Sequence, residues 1–176
     1  MIFKDTGLDG LKLVELEPSL DARGSFLRTF DAAEWEVRGL TATVAQCSLS
    51  CNRRRGTLRG LHYQEPPHEE TKLVRCSRGR IFDVAVDLRA SSPTFRRWFG
   101  TELSDRNGRM LYIPVGFAHG FLTLEPETEV SYQISTPYVP EAARGVRWDD
   151  PAFGIDWPDV PQVISDRDRS FPDFSW

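Results

Sequence analysis

Residues 108–121 read GRMLYIPVGFAHGF, and the fold is decided in this stretch. Five residues separate Gly108 from Pro114, one separates Pro114 from Gly116, and two separate Gly116 from His119. A strand is expected over 109–113, a break at the proline and glycine, and a second strand over 121–124. Downstream, 128–135 continues the series. Upstream, 80–88 (RIFDVAVDL) alternates most clearly, with Phe82, Val84, Val86 and Leu88 on one face. Asp83 and Asp87 share the other face with Ile81 and Ala85. Further strands are expected at 11–16, 24–30 (GSFLRTF) and 42–51 (ATVAQCSLSC). One helix is expected over 32–38, capped by Asp31, with Glu34 placed as in a capping box and Gly39 as the stop. Many short strands between Gly, Pro, Asn and Asp breaks predict an all-β sandwich or barrel.

The 176 residues fit a single domain, 1–176, with enough chain to bury a sizeable core. Apolar residues at 40% and charged residues at 27% match an ordinary globular protein. A formal charge of −4 argues against a general nucleic-acid binder. The run Arg53, Arg54, Arg55 reads as a solvated loop. Cys47, Cys51 and Cys76 lack the pairing of a zinc site and are expected as small core residues in a reducing compartment. MIFKDTGLDG carries no signal-like apolar run, and no stretch approaches the length of a membrane span. The expectation is a cytoplasmic protein with no membrane and no nucleic-acid partner. Asp83 poses a separate problem, since a carboxylate between Ile81 and Ala85 is costly in a dry core without partners. Its face is expected either to line a wet cavity or to meet solvent.

The Gly108–Pro114–Gly116–His119 spacing resembles the second motif of the cupin superfamily, with Thr123 where that motif has Asn. Gly56, followed by five residues and then His62, resembles the start of the first motif. The resemblance implies a double-stranded β-helix, or jelly roll, with both motifs on strands at its mouth. A metal-binding cupin would use His62, His119 and an acid such as Glu69, but Gln64 stands where a further histidine belongs. An amide oxygen substitutes poorly for imidazole toward iron, zinc or copper. The metal-free reading is therefore favoured, with no cofactor.

The segments GTLRGLHYQEPPHEETKLVRC (56–76), GRIFDVAVDLRASSPTF (79–95), YIPVGFAHGF (112–121), RWDDP (147–151) and ISDRD (164–168) go further. Together they resemble the dTDP-4-dehydrorhamnose 3,5-epimerase family over essentially the whole chain. That resemblance implies an isomerase that inverts carbons beside the keto group of a nucleotide-linked 4-keto-6-deoxy sugar. It implies His62 as the base, Asp168 as the group orienting it, Tyr132 as the proton donor, and Lys72 beside the C4 oxygen. Arg23 and Arg59 would hold the diphosphate, Phe26 and Tyr138 would pack on the nucleoside, and Gln46, His119 and Arg167 would contact substrate. It also implies a homodimer, because the strand with Arg23 and Phe26 crosses to a partner. Without the motifs, His62 reads as a hydrogen-bonded core residue, Tyr132 as strand packing, Asp168 as a turn residue and Lys72 as a solvated charge. Arg167 replaces the family's usual lysine, while Arg28 and Ser48 stand where the family has Glu and Asn, and Ala143 stands near the position of a further family Glu. The latter departures bear on the nucleobase. The rivals are an epimerase of C3 or C5 alone acting on a CDP- or GDP-sugar, a metal-dependent cupin dioxygenase, and a sugar-nucleotide-binding cupin without catalysis.

Overall fold

Both faces of the strand at 80–88 are covered, and this sets the layering of the molecule. The computed structural model describes residues 1–175. Its strands are β1 (Ile2–Asp5), β2 (Lys12–Glu15), β3 (Ser19–Asp21), β4 (Gly24–Phe26), β5 (Gln46–Asn52), β6 (Leu58–Gln64), β7 (Lys72–Arg78), β8 (Arg80–Asp87), β9 (Trp98–Ser104), β10 (Arg109–Ile113), β11 (Phe117–Thr123), β12 (Thr128–Ile134) and β13 (Ala143–Gly145). They form a six-stranded sheet in the order β1-β2-β10-β7-β12-β5 and a five-stranded sheet in the order β13-β6-β11-β8-β9. Strands β3 and β4 make a separate exposed hairpin. This is the all-β cupin jelly roll.

The main core lies between the two sheets. Val74, Cys76, Leu111, Ile113 and Val130 from the first meet Ile81, Ala85, Leu103, Phe117 and Phe121 from the second. Each Val, Leu, Ile or Phe among them contributes about 1.5–3 kcal/mol on burial. On the outside of the second sheet, Leu61, Val84, Val86 and Ala118 pack against Val146 and Phe153. On the outside of the first, the helix α1 (Ala32–Val37) drives Trp35 onto Val14, Met110 and Tyr112. Asp31 caps α1 by accepting from the Glu34 N–H, and Gly39, at φ +69°, closes its end. Glu34 does not complete the capping box; its carboxylate pairs with Arg38 and the N-terminal ammonium.

Several boundaries differ from the sequence reading. The strand expected at 24–30 ends at Phe26, because Leu27 and Phe30 turn to pack beside Trp35. The strand expected from 42 starts at Gln46, where the ladder to β12 begins. The strand expected at 121 begins at Phe117, paired along its length with β8. A second helix, α2 (Asp166–Arg169), follows a one-turn 3-10 segment at Pro140–Ala142. The cysteine reading needs correction. Cys76 is buried, and burial pushes its thiol up to about 12, whereas Cys47 and Cys51 are exposed. They fall on the outward positions of β5, an edge strand, while Gln46, Ser48 and Ser50 face inward. Among the described residues no helix is long and apolar enough to cross a membrane.

Candidate active site

One end of the jelly roll opens into a cavity of about 490 Å³ between the two sheets. Lys72 of β7 and Tyr132 of β12 enter it from the first sheet, and His62 of β6 and His119 of β11 from the second. The two histidines are direct cross-strand partners, which fixes their proximity. Strands β6 and β11 approach closely beside them. A Cβ built on Gly60, at φ +134°, would lie 2.5 Å from the Gly120 Cα, so glycine is required there.

His62 Nε2 lies 2.8 Å from Asp168 Oδ1. Asp168 reaches the site from α2, whose N-cap is Ser165, and its Oδ2 accepts from the Gly60 N–H at 3.2 Å. Burial opposes charge on Asp168. The hydrogen bond and attraction to His62, together with the Gly60 N–H, outweigh it and hold the carboxyl below the usual range. An ionised carboxylate only accepts, so Nε2 carries the proton in this contact. In neutral His62 the Nδ1 lone pair is then free to take a proton.

Tyr132 stands edge-on to His119, with ring centroids 6.0 Å apart. Burial pushes its phenol pKa up; Asp83 raises it further, while Arg59 acts the other way. The hydroxyl therefore keeps its proton at neutral pH. Lys72 Nζ lies 2.8 Å from Glu70 Oε1 and donates to the His62 carbonyl at 3.3 Å. His119 Nε2 lies 2.8 Å from Asp83 Oδ1, and both residues are buried. Asp83 is thus neither solvent-exposed nor in the cavity lining; a buried histidine partners its Oδ1, while its Oδ2 is buried without a hydrogen-bond partner among the described residues.

Arg59, Arg167, Gln46 and Tyr138 complete the predicted residues at the cavity. Arg59 Nε donates to Asn52 Oδ1 at 2.8 Å, and Gln46 Oε1 accepts from the Tyr138 N–H at 2.8 Å. Arg23 and Phe26 are not brought there by their own chain. They sit on the exposed β3–β4 hairpin around a separate hollow, with Arg23 paired to Asp21. Arg28 is also outside the cavity lining, exposed and 3.5 Å from Asp31. Gln64, where a metal cupin would carry histidine, is committed to protein contacts. Its Oε1 accepts from the Val139 N–H at 2.6 Å, and its Nε2 faces the His68 and Pro137 carbonyls and Glu70.

A family model described as dTDP-4-dehydrorhamnose 3,5-epimerase matches residues 5–175. The chain belongs to this family. A dTDP-4-dehydrorhamnose 3,5-epimerase from Methanothermobacter thermautotrophicus is 47% identical over 175 residues, covering 96% of this chain and 92% of the relative. The crystal structure of the epimerase from Bacillus anthracis, with TDP and PPi bound, superposes with a TM-score of 0.94 at 40% identity, covering 98% and 99% of the two chains. The Legionella pneumophila enzyme, in complex with dTDP-4-keto-L-rhamnose, gives 0.89 at 40% identity, covering 95% and 89%. Within this epimerase frame, Ser48 and Ala143 line the cavity beside Gln46. Two contributors escaped the sequence reading as site residues. The cost of burying Asp83 was visible there, but its partner His119 was not. Glu70 carried no such signal, because the strand that begins at Lys72 is hidden by its interrupted apolar pattern.

Proposed function

We propose that the chain inverts C3 and C5 of a nucleoside-diphosphate 4-keto-6-deoxyhexose, nominally converting dTDP-4-dehydro-6-deoxyglucose to dTDP-4-dehydrorhamnose. The observation that carries this reading is the engagement of His62 Nε2 by Asp168 in a cavity shared with Tyr132 and Lys72. The 4-keto group acidifies the hydrogens on its neighbouring carbons. His62 Nδ1 takes one, the Lys72 ammonium stabilises the oxygen anion of the enolate, and Tyr132 returns a proton to the opposite face. His62 has then gained a proton and Tyr132 has lost one, and exchange with water resets both. These transfers need no redox step and no cofactor.

Arg59 and Arg23 would bind the diphosphate, since the guanidinium fork matches phosphate oxygens, and Arg167 at the cavity would contact the substrate. Gln46, His119 and Tyr138 would complete the substrate contacts. Arg23 and Phe26 would reach this cavity from a second copy, as the exposed hairpin and the exposed edge of β5 allow. The working species is thus a homodimer in the reducing cytoplasm, where the exposed thiols of Cys47 and Cys51 stay unpaired. Incubation with dTDP-4-dehydro-6-deoxyglucose and NMR of the product tests the function. Inversion at C3 and C5 supports it, and unchanged substrate contradicts it. Sedimentation giving a one-chain mass would remove the dimer.

A further inference from the structure

Lys72 is the cation that the reading above places beside the enolate oxygen, and its ammonium is held by the fold on two sides. Its side chain and that of Glu70 are each only 10% exposed, with Nζ 2.8 Å from Oε1. The other Glu70 oxygen, Oε2, accepts from Gln64 Nε2 at 3.3 Å. Between the two charged residues, Thr71 is pinned on both sides. Its N–H donates to Ser135 Oγ at 2.8 Å, and its carbonyl accepts from the Ser135 N–H at 3.0 Å. Glu70 itself lines the same cavity as His62 and Tyr132.

A free lysine loses about 1.5–2 kcal/mol of rotamer entropy when fixed. Here that cost is met by the fold before any ligand arrives. An ammonium has three N–H donors. Glu70 and the His62 carbonyl take two, which leaves one for a ligand oxygen.

We infer that Glu70 is a positioning residue for the reaction, holding the Lys72 ammonium so that its remaining donor meets the oxygen on which charge develops. The inference rests on the epimerase reading above. It also accounts for Gln64, whose amide braces the Glu70 carboxylate and the 137–139 loop together. The anion forms only during reaction, so a displaced ammonium weakens the transition state more than the bound ketone. The loss therefore falls on kcat and not on KM.

The test compares wild type, Glu70→Gln, Glu70→Asp, Lys72→Met and the double variant Glu70→Gln/Lys72→Met. Each is assayed with dTDP-4-dehydro-6-deoxyglucose, and its dTDP affinity is measured by calorimetry. Glu70→Gln should lower kcat by about tenfold or more, with KM and dTDP affinity within about twofold of wild type. Glu70→Asp keeps the charge but draws it back by one methylene, so it should also lower kcat. If the glutamine variant does not fold, the aspartate variant makes the same comparison. The double variant should be no slower than Lys72→Met alone, because Glu70 acts through Lys72. Wild-type kcat in both Glu70 variants, or losses that multiply in the double variant, would overturn the role of Glu70 and leave the epimerase reading standing. A wild-type enzyme inert toward this substrate would overturn that reading, and this inference with it.

Discussion

Asp168 and His62 lie 106 residues apart in sequence and meet at 2.8 Å, the carboxylate arriving from a four-residue helix and the ring from a strand. The contact selects the tautomer with the proton on Nε2, which leaves Nδ1 as the ring nitrogen able to take a proton, as the proposed base must. Asp168→Asn can present either a donor or an acceptor to the ring, so the selection is lost. The variant is expected to lower kcat by about 10²-fold or more, the scale of a displaced general base. Steady-state kinetics check this, and a loss below about threefold would make Asp168 a packing residue.

Tyr132→Phe removes one hydroxyl and keeps the buried ring. If Tyr132 returns the proton, this variant still exchanges solvent deuterium into the substrate while net inversion slows by about 10²–10⁴-fold. Exchange and inversion followed together by NMR separate the two steps. Equal slowing of both would move Tyr132 from donor to base.

Arg28 stands where the resemblance calls for an acid, and it pairs with Asp31 on the exposed surface. If that pairing is kept when a second copy brings Arg23 and Phe26 to the cavity, Arg28 does not choose the base. Calorimetric titration should show dTDP bound at least tenfold, about 1.4 kcal/mol, more tightly than CDP or GDP. The preference should persist in Arg28→Glu. A preference for CDP or GDP that moves toward dTDP in that variant would assign base selection to Arg28.

Asp87 is a structural counterpart to the site carboxylates. Burial opposes its charge, but hydrogen bonds from Arg89, Ser92 and Thr94 prevail and lower its carboxyl from 3.8 to about 2. A depressed folded-state pKa gives stability that is complete above the unfolded value and lost as pH falls through the folded one. The stability gap between wild type and Asp87→Asn should therefore narrow by about 2 kcal/mol between pH 3.8 and about 2. Urea unfolding across that window measures it. A gap independent of pH would show that Asp87 does not titrate as described.

The sequence made some elements legible and hid others for physical reasons. Strands 109–113 and 128–135 were readable because apolar runs and punctuation coincide with ladder ends. Strand β7 was not, since Lys72 and Arg75 interrupt its apolar pattern, and Lys72 is there to face a cavity formed by other strands. Thr43 and Val44 have strand propensity but precede the ladder to β12, so propensity alone placed the start of β5 too early. The four residues of α2 carry no hydrophobic period and are held by a cap and by the contact with His62. In the site, cupin spacing pointed to His62 and His119. The family resemblance supplied roles for Tyr132, Lys72 and Asp168. Local pattern could not pair Asp83 with His119, because that pairing depends on the register of β8 against β11.

The central claim is that His62 removes a proton from a carbon beside the 4-keto group. The direct measurement is NMR of a dTDP-4-keto-6-deoxy sugar incubated in deuterated water with wild type and with His62→Asn, whose fold is checked by thermal melting. Wild type should place deuterium at C3, C5 or both, and His62→Asn should place none. Undiminished deuterium incorporation by a folded His62→Asn enzyme would contradict the account.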